Sequence, residues 1–269
     1  MDLQLQDKVA LVTGSSKGIG EAIVRRLARE GAVVIVHGRD KSKADEVARD
    51  IIDQGGRAFV VTGDLTRDEE VDRLIKTAQG FGRPVEILVN NAGGSAHTGD
   101  WAITKAESWT MNYDRNVLAA VRVTTSLLPA MREAGWGRIV NIASMAGLMP
   151  PPNRPEYAAT KAAMIAMTSS LAKAVAAEGI TVNTISPGTI RSGTLEEAFR
   201  RIAPSHGIDF DAPWGVIEEK VLPMLAQVPM QRVGTVEELA DAVAFLVSTR
   251  ASYITGTNLR LDGGMWLGL

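Results

Sequence analysis

Val9-Ala10-Leu11-Val12-Thr13-Gly14-Ser15-Ser16-Lys17-Gly18-Ile19-Gly20 is the stretch that decides the fold. Four apolar residues without polar alternation suit a strand buried on both faces. The run enters a turn with Gly-x₃-Gly-x-Gly spacing, and a helical pattern continues from Gly18 to Glu30. Gly31 then stands where a left-handed glycine ends a helix. This order sets a helix N-terminus, with its free N–H groups and positive dipole end, at the strand's carboxyl end, which is where a phosphate binds. The spacing is neither G-x-G-x-x-G nor a Walker A motif, since no Gly-Lys-Ser/Thr follows. Taken alone, the turn fits a plain β–α connection as well as a nucleotide site. Its place at the head of a βα series favours the nucleotide.

That series runs along the chain. Short β-branched runs recur at Val9–Val12, Val33–Val36, Ala58–Val61, Ile87–Val89, Ile139–Ile142, Ile180–Ile185 and Leu259–Leu261, with helical stretches between them. Such alternation predicts right-handed crossovers and a doubly wound, seven-stranded parallel α/β sheet of the Rossmann kind, one domain over residues 1–269. Thr66 and Glu69 have capping-box spacing before the helix that carries Val71, Leu74 and Ile75. Pro187-Gly188 is expected to end the strand Ile180–Ser186 as a turn. Residues 189–233 are too long for a simple crossover and contain six Pro or Gly breakers, from Pro204 to Pro229. They read as an inserted helical substrate lid near the sheet's carboxyl edge.

Composition narrows the chemistry. The chain has 269 residues, no Cys, three His (His37, His97, His206) and three Tyr. Without Cys there is no thiol nucleophile, disulfide or thiolate metal site. Three scattered His exclude HExxH, and no metal site is expected. A formal net charge of −2 gives no electrostatic case for nucleic acid or anionic membrane as a partner. The N-terminal residues show no signal-peptide pattern and no run is long enough to span a bilayer, so a cytoplasmic protein is expected.

The second strand bears on cofactor choice. An acid about 20 residues past the glycines would hydrogen-bond a ribose 2′-hydroxyl. Here the strand ends Val36-His37-Gly38-Arg39, with Gly38 at the acid position. Arg39, joined by Lys17 in the glycine turn, suits a 2′-phosphate, which predicts NADP(H). The alternative is that both cations are solvated surface charges.

Two further motifs complete a pattern. Asn90-Asn91-Ala92-Gly93 ends the fourth strand, and Tyr157-Ala158-Ala159-Thr160-Lys161 lies thirteen residues beyond Ser144. Tyr253-Ile254-Thr255-Gly256 and Asp262-Gly263-Gly264 follow near the C-terminus. With the glycine turn, these make a chain that resembles the short-chain dehydrogenase/reductase family over essentially its whole length, and within it looks similar to 3-oxoacyl-(acyl carrier protein) reductases. The resemblance implies an NADP(H)-dependent oxidoreductase acting on a small carbonyl or secondary alcohol, commonly a homotetramer. It implies Tyr157 as general acid/base, Lys161 as its partner, Ser144 as the carbonyl-orienting hydroxyl, and Asn116 as the holder of a relay water. Gly14, Ser16, Gly18 and Ile19 would line the pyrophosphate. Asp64 and Leu65 would contact adenine, and Asn91 and Gly93 would lie along the nucleotide. Pro187, Gly188 and Ile190 would flank the nicotinamide, and Ser192 would offer its carboxamide a hydroxyl where the family often has Thr.

The chemistry agrees with these roles. Reduction of a carbonyl needs a proton for the developing alkoxide, and a free Tyr, with pKa about 10, is a poor base at neutral pH. Lys161, one helical turn from Tyr157, is expected to lower that pKa, while Ser144 hydrogen-bonds the oxygen where charge develops. Several readings stay open. Asn112 sits one turn before Asn116. Asp64 also suits a turn. Arg200 and Arg201 could meet an anionic substrate or face water. Leu195, Phe199, Ile202, Phe210 and Trp214 suggest an apolar substrate pocket. His97, Trp101 and Trp214 fit pocket, packing or surface roles. The rival function is a non-catalytic NADP-binding regulator, which would not need Tyr157.

Overall fold

A parallel sheet needs a crossover between each pair of neighbours, and the chain supplies one after nearly every strand. The computed structural model describes residues 1–95 and 101–268, so His97 lies outside the described residues. The first half runs β1 (Val9–Val12), α1 (Gly18–Arg29), β2 (Val33–Gly38), α2 (Lys41–Asp53), β3 (Arg57–Thr62), α3 (Asp68–Gln79) and β4 (Ile87–Asn90). Helix α4 (Ala106–Tyr113) passes through a π-helical turn, Asp114–Leu118, into α5 (Ala119–Glu133), followed by β5 (Gly137–Ile142), α6 (Pro155–Val175) and β6 (Ile180–Pro187). The remainder is β7 (Ile190–Arg191), α7 (Gly193–Ile202), α8 (Trp214–Leu225), β8 (Gly234–Thr235), α9 (Val236–Leu246) and β9 (Asn258–Leu261).

Seven strands pair in parallel in the order β3-β2-β1-β4-β5-β6-β9, the doubly wound sheet expected from the sequence. The order reverses between β1 and β4, where Val12 pairs with Val36 on one side and Val89 on the other. Chains leaving these two strands turn to opposite faces and open a crevice at their carboxyl ends. Strand residues alternate between two cores. Ala10, Val12, Val34 and Val36 pack with Ile23, Leu27 and Val47 of α1 and α2 and with Leu239 and Val243 of α9. Val9, Leu11, Val33 and Ile35 pack with Leu74 of α3, Leu127 of α5 and Val175 of α6. Each fully buried aliphatic side chain contributes about 1.5–3 kcal/mol, which makes the sheet a rigid platform for the crevice.

Local details depart from the sequence reading. Thr66 and Glu69 do not form a capping box. Helix α3 starts at Asp68 behind an uncapped Arg67. The Thr66 amide and hydroxyl instead donate to Asp64 Oδ1, and the Asp64 amide donates to the Glu70 carboxylate. An Asx turn uses the same residue types as a capping box, and here it wins. Strand β6 runs through Pro187, because β9 pairs with it as far as Leu261. Edge strand β3 alternates in burial and exposes Phe59, which stacks on Phe81 at 4.2 Å.

Residues 189–233 hold two helices and have a core of their own. Phe199 is fully buried among Ala203, Ile217, Val221 and Leu222, 5.5 Å from the Trp214 ring. The apolar residues expected to line a pocket therefore mostly hold this segment together, while Phe210 is exposed. Arg200 is not free for an anionic substrate. It pairs with Glu196 and donates to the carbonyls of Phe210 and Ala212. Arg201 is exposed and pairs with Glu197. Trp101 is exposed and leans on Trp109 at 5.3 Å. Among the described residues no helix is long and apolar enough to cross a membrane.

Because this core is separate from the sheet cores, Phe199→Ala should cost the segment about 3–5 kcal/mol locally. Limited proteolysis should then cut within residues 193–225 while amide protection in β1, β4 and β5 stays intact. Equal loss of protection in the sheet would contradict the independence of this core.

Candidate active site

The glycine turn is shaped by close approaches. Gly14 has φ +64° and Gly18 φ +61°, left-handed conformations that favour glycine. A Cβ at Gly20 would strike the Gly14 carbonyl and the Asn91 side chain, whereas at Gly18 it would meet open space. Asn91 braces the turn: its Nδ2 donates to the carbonyls of Thr13 and Gly14 at 2.9 and 3.0 Å. Thr13 Oγ1 accepts from the amides of Asn91 and Ala92 and donates to Val89 O. The turn from β1 is thus stitched to the end of β4. No side chain caps α1 at Lys17, so its first-turn N–H groups remain available to an anion. Glycine turn, open Gly18 and uncapped helix fit a dinucleotide pyrophosphate.

His37, which sequence reasoning left without a role, ties the two sides of this pocket together. The Gly14 amide donates to His37 Nδ1 at 2.9 Å, and Nε2 lies 3.1 Å from Gly63 O. The network assigns the proton to Nε2. The His37 amide donates to Ser15 Oγ, which itself donates to Val12 O. Burial pushes the His37 pKa down from 6.5 to about 4, opposed by the Gly63 hydrogen bond and the nearby Asp64 charge and assisted by Arg39.

Beside this strut the end of the second strand packs against the glycine turn. A Cβ at Gly38 would come within 2.7 Å of Ser16 Oγ. Arg39 and Lys17 follow on exposed backbone, and neither side chain has a partner among the described residues. Arg39 is close enough to lower the pKa values of both His37 and Asp64. Asp64 is held below the usual carboxylate range chiefly by the Thr66 amide, and Leu65 is buried in the sheet core.

The catalytic candidates converge from β5, α6 and the π-helical turn. Ser144 follows β5 and caps a short 3₁₀ turn, its Oγ accepting from the Ala146 amide at 3.1 Å. Pro155 starts α6, and Tyr157 and Lys161 stand one turn apart on it. Lys161 is buried, with Nζ donating to Ile142 O at 2.8 Å and lying 5.7 Å from the centre of the Tyr157 ring. Asn116 sits in the π-helical turn, where such distortions often mark function. Its Oδ1 accepts from the Gly94 amide and its Nδ2 donates to the carbonyls of Gly94 and Asn112. Asn112 instead donates to Ser108 O, so Asn116 is the one that reaches the Asn-Asn-Ala-Gly segment. A Cβ at Gly93 would lie 2.5 Å from Asn116 Oδ1 and 3.7 Å from Lys161 Nζ, which brings these groups together under one backbone.

The electrostatics differ from the sequence expectation. Burial pushes the Tyr157 phenol above its ordinary 10, with the Ser144 hydroxyl and the Arg154 charge pulling it back. Lys161 is not among the groups that pull it down, and burial takes Lys161 itself down to about 8. The resting phenol is a proton donor.

The other expected residues are placed less uniformly. Ser16 and Ile19 lie half-buried along the turn. Gly188 packs against Asp262 and donates to Leu261 O, which fixes the end of β6 against the Asp-Gly-Gly segment. Ile190 is buried in the β7–β8 pair. Ser192 Oγ caps α7, accepting from the Leu195 amide at 3.3 Å, which leaves its hydroxyl proton free to donate. Trp214 is half-buried beneath the Arg191 guanidinium, 4.6 Å away.

Comparison with known proteins follows this geometry. Residues 8–202 match the family model described as short chain dehydrogenase. The chain is 36% identical over 267 residues to 3-oxoacyl-[acyl-carrier-protein] reductase FabG of Vibrio cholerae, covering 98% of this chain and 100% of that protein. It is 35% identical over 263 residues to the 3-oxoacyl-[acyl-carrier-protein] reductase of Synechocystis, covering 97% and 98%. Among solved structures it is similar to L-sorbose reductase from Gluconobacter frateurii, complexed with NADPH and L-sorbose, with a TM-score of 0.93, 34% identity and full coverage of both chains.

The His37 strut can be tested by stability. His37→Leu strands the Gly14 amide and Gly63 carbonyl and should cost about 1–3 kcal/mol for each buried group left unpaired, read as a lower urea midpoint; His37→Gln should recover part of this. Since the folded-state pKa lies below the unfolded 6.5, the unfolded chain binds the proton first. Wild-type stability should therefore fall as pH drops from about 6.5 towards about 4, and His37→Gln should lack that slope. A wild-type stability flat through that window would contradict the buried neutral ring.

Proposed function

The chain belongs to the short-chain dehydrogenase/reductase family, an oxidoreductase of carbonyl and alcohol groups, and on that premise we propose that it is an NADP(H)-dependent carbonyl reductase working through Tyr157, Ser144, Lys161 and Asn116. The observation that carries this reading is the buried Lys161 ammonium, held by the Ile142 carbonyl beneath Tyr157, with Ser144 beside the phenol. A protein that only binds a nucleotide has no use for a lysine buried under a tyrosine.

The nicotinamide, when bound, supplies or accepts the hydride. The chain does the rest. Ser144 Oγ orients the carbonyl oxygen by donating a hydrogen bond, and its own acceptor bond from the Ala146 amide fixes its direction. Tyr157 donates its proton to the same oxygen as charge develops there, and takes it back in the oxidative direction. Lys161, charged below about pH 8, stabilises the phenolate left behind. Asn116 holds the Gly94 backbone above Lys161, and from the π-helical turn it would hold a water that returns the proton. Gly14, Ser16, Gly18 and Ile19 would hold the pyrophosphate, with Asn91 as the brace of the turn. Asp64 and Leu65 would flank adenine, Gly93 the ribose, and Pro187, Gly188, Ile190 and Ser192 the nicotinamide. Lys17 and Arg39 would pair with the 2′-phosphate, and the absence of a carboxylate at Gly38 supports NADP(H).

Residues 189–233 we read as a lid that closes over the substrate within a single domain spanning residues 1–269. We extend the reading to a homotetramer. Exposed Met111, Leu118 and Val121 beside the small exposed Ala162 and Ala166 offer one face, and Tyr253 and Leu259 near β9 offer another. An NADPH-oxidation screen over 3-oxoacyl thioesters, ketoses and simple ketones tests the activity.

Two substitutions separate the roles. Tyr157→Phe should lower kcat by about 10²- to 10⁴-fold while the NADPH Kd, read by fluorescence, stays within about threefold. Substantial residual turnover would refute the proton-donor role. Arg39→Glu should weaken NADPH binding by about 10- to 100-fold and leave NADH nearly unchanged. An unaltered NADPH-to-NADH preference would contradict the basic corner.

A further inference from the structure

A charged side chain that is partly taken out of water normally finds a counter-charge or hydrogen-bond partners. Arg154 does not. It is half-buried at the start of α6, one turn before Tyr157, and its guanidinium carbon lies 6.0 Å from the centre of the Tyr157 ring. Its Nε is sealed from solvent with no hydrogen-bond partner, and no ion pair reaches its guanidinium among the described residues. Other arginines in and near the 189–233 segment are engaged: Arg191 with Glu196, Arg200 with Glu196, Arg201 with Glu197 and Arg232 with Glu238. Arg154 is thus an unneutralised guanidinium beside the candidate proton donor. Its field reaches the phenol, which it pulls down against the larger upward push of burial.

We propose that Arg154 is a substrate-recognition residue, and that the preferred substrates are carbonyl compounds carrying an oxyanion, carboxylate or phosphate, a few bonds from the reacting carbon. This rests on the carbonyl-reductase reading of the same site. A planar guanidinium matches an oxyanion through two parallel N–H···O bonds, and an anion there would supply the missing counter-charge. The distance to the Tyr157 ring sets the spacing. A carbonyl oxygen on the phenol hydroxyl and an oxyanion on Arg154 belong to one small molecule, not to the two ends of a long chain. The same contact would orient the carbonyl, so that binding energy away from the reacting atoms serves the chemical step.

The test uses matched pairs: levulinate against its methyl ester for the carboxylate, and dihydroxyacetone phosphate against dihydroxyacetone for the phosphate. Wild-type enzyme with saturating NADPH should show a kcat/KM at least about tenfold higher for the anionic member of at least one pair, and that pair identifies the oxyanion. Arg154→Gln should lower kcat/KM for the anionic member by about 10- to 100-fold and erase the preference, with NADPH binding retained. Arg154→Lys should restore part of it. A role confined to tuning Tyr157 would slow both members of a pair equally and leave the ratio untouched, which would overturn the proposal. Should a variant fail to bind NADPH through misfolding, the wild-type ratios decide. Equal use of both members in both pairs overturns the Arg154 assignment and leaves the reductase reading standing. No turnover of any carbonyl by the NADPH-bound enzyme overturns both.

Discussion

A chain of buried side-chain hydrogen bonds crosses the sheet beneath the site, and the catalytic geometry hangs from it. Asn90 Nδ2, at the end of β4, donates to Thr124 Oγ1 on α5 at 3.0 Å and to Asn141 Oδ1 on β5 at 2.8 Å. Asn141 Nδ2 donates to Thr168 Oγ1 on α6 at 2.8 Å, and Thr168 Oγ1 donates to the Met164 carbonyl. Two helices and two strands are thereby fixed to one another. Among these amide and hydroxyl groups Asn90 Oδ1 is buried without a partner, and a slip in register would strand the others too, so the network favours this register beyond what apolar packing does. Helix α6 carries Tyr157 and Lys161, and α5 follows the π-helical turn that carries Asn116. Their mutual placement follows from where Asn90 and Asn141 sit.

On that frame, burial sets the chemistry. Lys161 keeps one acceptor, the Ile142 carbonyl, but burial strips it of water, and its proton is held less firmly than in solution. Tyr157 is stripped too, and its phenol holds its proton more firmly. The two shifts move the pair apart: the phenol keeps its proton, and the ammonium beneath it carries, below about pH 8, the charge that would stabilise a phenolate. The nucleotide half obeys the same logic. A neutral His37 ring, held neutral by burial, spaces the glycine turn from Gly63, and the adjoining surface carries Arg39 and Lys17, with Asp64 near enough to feel the Arg39 charge.

Much of this was legible in the sequence because strand runs, the glycine turn and a four-residue Tyr–Lys spacing are local patterns. All seven sheet strands lie where their apolar runs stand, with ends shifted by at most two residues where pairing continues past the apolar core. What was not legible depends on tertiary surroundings. Periodicity shows that Phe199 and Trp214 turn one face inward, but not that they face each other instead of a substrate. Thr66 could make a capping box with Glu69 or an Asx turn with Asp64 from the same letters. The pKa direction of Tyr157 follows from burial, which spacing does not report. Asn116 and Asn112 differ in role because a π-helical turn separates them. His37 was visible only as a histidine in a strand, and Asn90 and Asn141 as polar residues in apolar runs. That last pattern is itself a signal, since an amide inside a buried strand must find partners.

The central claim is that the donor is a buried phenol served by a lysine whose charge is lost near pH 8. The most direct measurement is the pH profile of kcat/KM for ketone reduction at saturating NADPH, compared between wild type and Lys161→Arg. The wild-type rate should hold below about pH 8 and fall above it as Lys161 deprotonates, and any activity that Lys161→Arg retains should lose that limb because a guanidinium stays charged. A wild-type profile flat to pH 10, or the same limb in Lys161→Arg, would contradict the account.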